Sequence, residues 1–215
     1  MSNEVVAVVS GGEAPSRTAA AAVPAGATVI AADRGLEHAR ALGLQVDVAV
    51  GDFDSASPEA VAAAERAGVR IERHAAEKDE TDLELALDAA IALGAARIVV
   101  LAGRGGRLDH ELSSLLLLCS AKYASAQIDA LVGEERVHVV RDARELEGVP
   151  GELLTLLPVH GAAEGVRTDG LAYPLRGETL DAGSTRGVSN VFVEPTARVA
   201  LERGVLLAIR SGGSE

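Results

Sequence analysis

The chain has 215 residues, of which 48% are hydrophobic, and its formal net charge is −12. The length suits one large domain or two small ones, and the negative charge disfavours nucleic acid or an anionic membrane as the main partner, because both require a basic surface. The single cysteine, Cys119, excludes a disulfide within the chain. We find no signal-peptide pattern and no apolar run long enough to cross a membrane, so we expect a soluble, cytoplasmic protein.

The first half of the chain alternates strand and helix patterns. Short apolar runs typical of buried strands are predicted at residues 5–9, 28–32, 46–50, 69–73, 97–102 and 127–132. Helices are predicted for an alanine-rich segment ending at Pro24, for residues 36–42, 58–67 and 83–93, and from His110 to about Tyr123. This alternation predicts βαβ units around a parallel sheet, that is, a Rossmann-like α/β domain.

The stretch Gly51-Asp52-Phe53-Asp54-Ser55 directly follows one of these strands. On an extended segment, residues two apart point the same way, so Asp52 and Asp54 can face one point. Two like charges held that close are unfavourable unless a cation neutralises them. Mg²⁺ suits such oxygen ligands and completes its shell with water and substrate phosphates. The alternative is an Asp-rich turn that only caps the next helix.

Acidic residues follow several of the predicted strands or lie in the loops that lead from them. They are Asp33, Asp52, Asp54, Asp79, Asp82 and Asp109. Because ligands of parallel sheets bind outside the carboxyl ends of the strands, we expect these side chains at one edge, alongside Lys78, Arg104 and Arg107. Helix capping accounts for one or two such carboxylates, but not easily for all of them.

From about Glu135 the pattern changes to short strand-like runs separated by Gly, Pro and Asp. The runs are residues 136–141, 153–158, 171–175, 188–193, 197–202 and 205–210. They predict a small antiparallel β-sandwich or barrel. We therefore expect an α/β domain over residues 1–134 and an all-β domain over residues 135–215. So short a β domain has a thin core, which favours docking on the first domain or dimerisation through this half.

Motifs of other enzyme classes are missing from the sequence. It contains no P-loop, no strict G-x-G-x-x-G after a strand, no histidine pair at zinc-ligand spacing and no G-x-S-x-G elbow. The remaining signal is a carboxylate-rich edge with a few cations. This fits Mg²⁺-dependent transfer of a phosphoryl or pyrophosphoryl group, in which the protein positions the reactants and neutralises charge.

Six motifs in order resemble the thiamine pyrophosphokinase (thiamine diphosphokinase) family over nearly the whole chain. They are Asp33-Arg34-Gly35, Gly51-Asp52-Phe53-Asp54-Ser55, Lys78-Asp79-Glu80-Thr81-Asp82, Gly105-Gly106-Arg107-Leu108-Asp109-His110, Gly170-Leu171-Ala172-Tyr173-Pro174-Leu175 and Gly187-Val188-Ser189-Asn190. The resemblance implies an Mg²⁺-dependent enzyme that transfers pyrophosphate from ATP to the thiamine hydroxyl, giving thiamine diphosphate and AMP. It also implies a homodimer, with thiamine between the first domain of one subunit and the β domain of the other.

The resemblance further implies roles for the matching positions of the α/β domain. Asp52, Asp54 and Asp82 would hold Mg²⁺. Asp79 and Asp109 would support the metal or orient the attacking hydroxyl. The cations Lys78 and Arg107 would neutralise phosphate charge. The residues expected at the nucleotide are Asp33, Arg34, Lys78, Thr81 and Arg104.

In the β domain, the resemblance implies contacts with thiamine. Ser189 and Asn190 would contact the aminopyrimidine ring, and Tyr173 would offer its ring to the cationic thiazolium. Tyr173 could instead simply pack against its neighbours.

Some motif residues also fit a structural role, and the sequence departs from the family pattern in places. Thr81 and Glu84 match a capping box, although Asp79 could be the cap instead. Arg34 stands where the family often has a glycine, and Ser113-Ser114 where many members have asparagine. Two other functions stay open: a pyrophosphokinase for another hydroxymethyl heterocycle, such as a pterin, and a non-catalytic nucleotide or thiamine-phosphate sensor.

Overall fold

The computed structural model describes residues 4–211, which divide into two compact units. One unit contains the residues up to Ser114 together with Ser125–Gly133. The other contains Leu115–Ala124 and the residues from Glu134 onwards. Within residues 4–211, no helix is both long enough and apolar enough to span a membrane.

The first unit is built on a six-stranded parallel sheet with the strand order β6-β5-β1-β2-β3-β4. Its strands are β1 (Val5–Val9), β2 (Thr28–Ala32), β3 (Val48–Gly51), β4 (Arg70–Arg73), β5 (Arg97–Ala102) and β6 (Gln127–Val132). The helices of this part of the chain are α1 (Gly35–Ala41), α2 (Pro58–Arg66), α3 (Asp82–Ala92) and α4 (Leu108–Leu118), the last of which continues into the second unit. The predicted α/β class and parallel sheet are confirmed.

Burial explains why these segments form a sheet. The central strands β1, β2 and β3 are almost entirely buried, as expected for a parallel sheet that is covered on both faces. The edge strand β4 carries charged residues instead. Helix α2 begins where Ser57 accepts a 3.3 Å hydrogen bond from the Ala60 N–H, and α3 begins where Thr81 accepts one of 3.3 Å from the Glu84 N–H.

Two helix predictions were wrong in extent. The alanine-rich segment before Pro24 forms only a short 3-10 helix, Ala19–Ala22. The helix expected to reach Tyr123 ends at Leu118, and a separate 3-10 helix covers Ala121–Tyr123. The Ser120 hydroxyl accepts the Lys122 N–H at 3.3 Å, so this serine caps a new turn instead of continuing α4.

The second unit contains antiparallel strands in two sheets, with the orders β12-β9-β14-β7 and β11-β10-β13-β8. Its strands are β7 (Glu135–Val140), β8 (Ala143–Glu147), β9 (Leu153–Pro158), β10 (Ala163–Asp169), β11 (Arg176–Leu180), β12 (Asn190–Val191), β13 (Thr196–Ala200) and β14 (Leu206–Arg210). Leu146 and Val166 from one sheet share an apolar core with Leu154 and Leu206 from the other. The prediction of an antiparallel second half is confirmed.

The strand predictions in this half were less accurate. Residues 171–175 form a loop with only an isolated bridge from Leu171 to Phe192, and the run at 188–193 shrinks to β12. Strands β8, β10 and β11 were not predicted. These strands bury few side chains among charged or small residues, which gives them a weak apolar signal.

Candidate functional site

The loops that leave β1 and β2 approach each other so closely that only glycine fits. A Cβ atom on Gly35 would lie 2.1 Å from the Val9 carbonyl oxygen, and one on Gly11 would lie 2.7 Å from the Ala32 carbonyl oxygen. This contact gathers the carboxyl ends of neighbouring parallel strands into one edge of the sheet. Such edges are where α/β sheets bind ligands.

Asp33 is the buried carboxylate of this edge. It follows β2 with a positive φ of 47°, its N–H donates a 2.8 Å hydrogen bond to the Val50 carbonyl, and it is 5% exposed. Its Oδ2 accepts a hydrogen bond from the Ser55 hydroxyl, whereas the buried Oδ1 has no hydrogen-bond partner. Burial, and to a lesser extent the charges of Asp82 and Asp52, raise the pKa of Asp33.

Asp52 and Asp54 complete a group of three carboxylates with Asp33. One oxygen of each lies within 4.8 Å of the others. The Asp54 N–H donates to Asp52 Oδ1 at 3.1 Å, a short turn that folds Asp54 back towards Asp52. That hydrogen bond and the proximity of Lys78 lower the pKa of Asp52. Gly51 keeps this turn close to Asp33, because a Cβ there would lie 3.2 Å from the Asp33 Cβ.

Lys78 joins the carboxylate group to the start of α3. Its Nζ lies 3.2 Å from Asp52 Oδ2 and 2.8 Å from Asp82 Oδ1, and its side chain is only 13% exposed. Burial lowers the pKa of the Lys78 ammonium, but the hydrogen bonds and charges of Asp82 and Asp52 together outweigh burial, so its pKa is raised. Lys78 therefore carries a positive charge that partly balances the cluster.

The remaining predicted residues of the first unit lie on exposed loops or at helix ends. Asp79 is exposed, and Thr81 serves as the N-cap of α3. Arg34 is exposed, and its Nε lies 3.6 Å from Glu37 Oε2. Arg104 packs beside Gly133, where a Cβ would lie 3.0 Å from the Arg104 Cβ.

Arg107 and Asp109 form an exposed ion pair with each other. The Arg107 Nη2 lies 2.6 Å from Asp109 Oδ2, and the Asp109 carboxylate also accepts the His110 N–H at 3.0 Å. The hydrogen bond from Arg107 lowers the pKa of Asp109, and the same bond raises the pKa of Arg107. Both groups are therefore charged at neutral pH.

Sequence reasoning missed the residues that hold the glycine-rich loop after β5. The Glu13 carbonyl accepts the Gly103 N–H at 2.9 Å, and the Glu13 Oε1 lies 3.1 Å from where a Cβ of Gly106 would be. Glu111 Oε2 accepts the Gly105 N–H at 3.0 Å. The available signal was the glycine pair Gly11-Gly12, which lies between β1 and Glu13.

In the second unit, Asn190 organises the loop that carries Tyr173. Asn190 is 6% exposed; its Oδ1 accepts the N–H groups of Tyr173 and Val191 at 3.0 and 2.9 Å, and its Nδ2 donates to the Tyr173 carbonyl at 2.8 Å. The Tyr173 side chain is 69% exposed. Ser189 has a positive φ of 57°, and its N–H donates to the Thr155 hydroxyl at 3.1 Å.

The carboxylate group fits a hard divalent cation. Its donors are all carboxylate oxygens, which Mg²⁺ prefers. The buried and unpartnered Asp33 Oδ1 is the atom that a cation would satisfy. The group differs from the predicted metal set in that Asp33 belongs to it, while Asp82 Oδ1 is bound to Lys78.

Comparisons with known proteins cover both halves of the chain. A family model described as "Thiamin pyrophosphokinase, catalytic domain" matches residues 22–130, and one described as "Thiamin pyrophosphokinase, vitamin B1 binding domain" matches residues 136–206. The thiamine pyrophosphokinase of Bacillus subtilis is 28% identical over 165 residues, which are 76% of this chain and 77% of that protein.

Solved structures agree with this match. A thiamine pyrophosphokinase structure from Bacillus subtilis has a TM-score of 0.85 and 23% identity, covering 98% of this chain and 100% of that chain. One from Geobacillus thermodenitrificans has a TM-score of 0.81 and 27% identity, covering 98% and 99%. At 23% identity, the similarity to the Bacillus subtilis structure supports only the fold of this chain.

The family matches decide between the functions that the sequence left open. The catalytic-domain match alone spans just over half of the chain, and the match to the vitamin B1 binding domain spans most of the second half. A pterin pyrophosphokinase and a non-catalytic sensor are therefore not favoured. The chain belongs to the thiamin pyrophosphokinase family, which confirms the family and the enzyme class, a thiamine diphosphokinase, that its motifs predict.

Proposed function

We propose that this chain transfers the pyrophosphate group of ATP to the hydroxyl of thiamine, producing thiamine diphosphate and AMP. The observation that carries the proposal is the group formed by Asp33, Asp52 and Asp54, with an unpartnered buried oxygen and Lys78 beside it. Clustered carboxylates with a neighbouring cation are what metal-assisted phosphoryl chemistry requires. A cytoplasmic location belongs to the same proposal.

The residues that would hold Mg²⁺ are Asp52 and Asp54, with Asp33 as a third carboxylate. Asp82 would be a further ligand beside them, although its Oδ1 lies 2.8 Å from the Lys78 Nζ. When bound, Mg²⁺ supplies charge neutralisation to the phosphate oxygens and a template that orients them. Asp52, with its lowered pKa, is ionised at neutral pH and ready to act as a ligand.

Lys78 and Arg107 are the cations that would meet the transferred group and the leaving AMP. Lys78 is held in place by two carboxylates, so it is preorganised and does not need to be ordered during the reaction. Arg107 lies on the exposed loop before α4, paired with Asp109. In this proposal the phosphate group displaces Asp109 from Arg107. Asp109 or Asp79 would then orient the thiamine hydroxyl.

The other nucleotide contacts come from residues around this edge. Arg34 and Arg104 are exposed cations that would reach phosphate oxygens. Thr81 caps α3, so its part in nucleotide binding is to fix the segment that follows Lys78 and Asp79. The first unit thus serves as the Rossmann-like nucleotide domain of the proposed enzyme.

Thiamine would be bound by the second unit, the proposed β-sandwich domain. The exposed ring of Tyr173 suits a cation–π contact with the thiazolium. The amide oxygen and one N–H of Asn190 are hydrogen-bonded to the backbone of Tyr173. Asn190 therefore supports the thiamine site by holding that loop. Ser189 is exposed and offers a hydroxyl to the aminopyrimidine ring.

A homodimer with a shared active site completes the proposal. Helix α4 exposes Leu108 (78%) and Leu112 (55%), four residues apart on one face, and Leu116 continues the same stripe. The second unit also exposes Val149 and Val193. An exposed apolar stripe such as the one on α4 marks a protein contact.

The test is AMP release by the full chain from ATP and Mg²⁺, with and without thiamine, followed by chromatography. We expect thiamine-dependent AMP and an equal amount of thiamine diphosphate. Asp54→Asn should lower turnover at least about 100-fold without lowering the melting temperature, whereas Glu59→Gln, on the exposed first turn of α2, should keep it. ADP as the product, or AMP release that ignores thiamine, would refute the proposed reaction.

A further inference from the structure

A cavity lies in the first unit, on the flank of α1. It has a volume of about 440 Å³ and is lined by Ala14, Pro15, Arg17, His38, Ala41 and Leu42. None of these residues belongs to the carboxylate group or to the predicted nucleotide set. A volume of this size falls within the range of about 300–1,000 Å³ that is typical of small-molecule sites.

One wall of the cavity is a face of α1 and the other is the loop after β1. His38, Ala41 and Leu42 stand three and four residues apart, so they share one face of the helix. Ala14, Pro15 and Arg17 form the opposite wall. The walls are mostly apolar, and Arg17 is the charged lining residue.

His38 is the polar group that the packing of this cavity does not explain. It is 7% exposed, and its Nδ1 is buried without a hydrogen-bond partner. An unsatisfied buried nitrogen is costly, and an apolar side chain would fill the same position without that cost. Burial and the charge of Arg34 lower the pKa of His38, so the ring is neutral near pH 7 and offers one donor and one acceptor.

Charge at the cavity favours an anionic ligand. Arg17 is exposed, and no carboxylate of residues 4–211 forms an ion pair with it. The two carboxylates that act on His38 are Glu37 and Glu13. The Glu13 carboxylate is turned to the glycine-rich loop, with its Oε1 3.1 Å from where a Cβ of Gly106 would be. Glu37 is already engaged by the Ser57 N–H at 3.1 Å and by Arg34 at 3.6 Å. Arg17 is therefore the cation left to meet a ligand.

We propose that this cavity is a binding site for a small organic anion with an apolar body. The anionic group would pair with Arg17, the body would lie against Pro15 and Leu42, and the His38 ring would lie beside it. The site adjoins Glu13, whose carbonyl accepts the Gly103 N–H. A bound ligand would therefore lie close to the glycine-rich loop after β5. The proposal stands independently of the thiamine reaction.

Benzoate is a suitable probe, with neutral benzyl alcohol of similar size as its counterpart. Each is titrated into the isotope-labelled full chain while the imidazole NMR signals of the histidines are followed. We expect benzoate to shift the His38 signals saturably at millimolar concentrations and benzyl alcohol to bind at least about tenfold more weakly. Absence of a saturable His38 shift, or equal binding of the two probes, would overturn the proposal.

Matched variants locate the site. Arg17→Gln should weaken benzoate binding about tenfold or more, whereas Arg66→Gln, an exposed arginine on α2, should leave it unchanged. Ala41→Phe should fill the cavity and abolish binding, while Ala62→Phe on α2 should not. Both alanines are exposed, so neither change disturbs the core. Equal effects of the lining and control variants would show that benzoate binds elsewhere.

Discussion

The Lys78 ammonium lies 2.8 Å from Oδ1 of Asp82, four residues later at the first turn of α3. The same ammonium lies 3.2 Å from Asp52, so it bridges the strand end and the helix. Lys78→Met would leave these carboxylates facing each other without a cation. We expect turnover to fall about 100-fold or more, with a loss of about 1–3 kcal/mol in the free energy of unfolding in metal-free buffer.

Added Mg²⁺ distinguishes lost neutralisation from general damage. Mg²⁺ should raise the melting temperature of Lys78→Met more than that of the parent chain, because only the variant lacks its own cation. Lys122→Met removes the same charge from a lysine placed over the Tyr123 ring and serves as the control. An equal response of the parent and Lys78→Met to Mg²⁺ would contradict this account of Lys78.

Asp33 should make stability depend on pH in a defined direction. Burial raises its folded-state pKa above the ordinary value of 3.8, so ionising it costs the folded state. This cost is absent below pH 3.8 and grows as pH rises towards the folded pKa. Asp33→Asn lacks the cost, so its stability relative to the parent should increase with pH over this interval, by at most about 1.4 kcal/mol per pH unit.

Chemical denaturation at a series of pH values in the presence of EDTA measures that difference. Asp52, whose lowered pKa has the opposite effect on stability, is present in both proteins and largely cancels. Asp181→Asn, an exposed aspartate of the second unit, controls for the change in net charge. If the difference in stability between Asp33→Asn and the parent does not change with pH, burial does not raise the pKa of Asp33 in the folded state.

The sequence predicts the elements that depend on local apolar pattern. The bounds of β1, β2, β5 and β6 match the predicted runs, because each is a short apolar segment ending at polar or glycine residues. Strands β8, β10 and β11 were missed, because in a half-exposed antiparallel strand the charged residues dilute the apolar signal. Tertiary pairing, which no local window contains, forms these strands.

The candidate site could likewise be predicted from the sequence only in part. Asp52 and Asp54 lie together as expected, but not because the segment is extended: Phe53 between them has a positive φ of 61°, and the Asp54 N–H turns back to Asp52. The unpartnered oxygen of Asp33 and the bridge made by Lys78 depend on how separate loops meet, so spacing could not reveal them. The anchoring of the Tyr173 loop by Asn190 likewise joins residues 17 apart in the chain.

Gly51 should tolerate no side chain. Its φ is 150°, and a Cβ would lie 3.2 Å from both the Asp33 Cβ and the Asp82 Oδ1. Gly51→Ala should therefore cost about 1–3 kcal/mol in backbone strain and about 1–3 kcal/mol more from crowding, and it should displace the carboxylates. Gly68→Ala is the control, because Gly68 has a φ of 84° but no atom within 4 Å of its added Cβ.

Melting curves and turnover separate the two glycines. Gly68→Ala should lose only the stability that backbone strain costs and should keep full turnover. Gly51→Ala should lose both stability and turnover. Equal losses of stability in the two variants, with turnover kept in both, would mean that the loop at Gly51 adjusts without moving Asp33.

Asn190 and Tyr173 should act on thiamine through one loop, which a double-mutant cycle can measure. Asn190→Ala removes three hydrogen bonds from a 6% exposed side chain, so it should cost about 1–3 kcal/mol of stability and raise the KM for thiamine. Tyr173→Ala should raise that KM without lowering the melting temperature, because the ring is 69% exposed. Since Asn190 holds the backbone of Tyr173, the double variant should show little further increase in KM beyond Tyr173→Ala. Fully additive effects would instead assign Asn190 a contact of its own with thiamine.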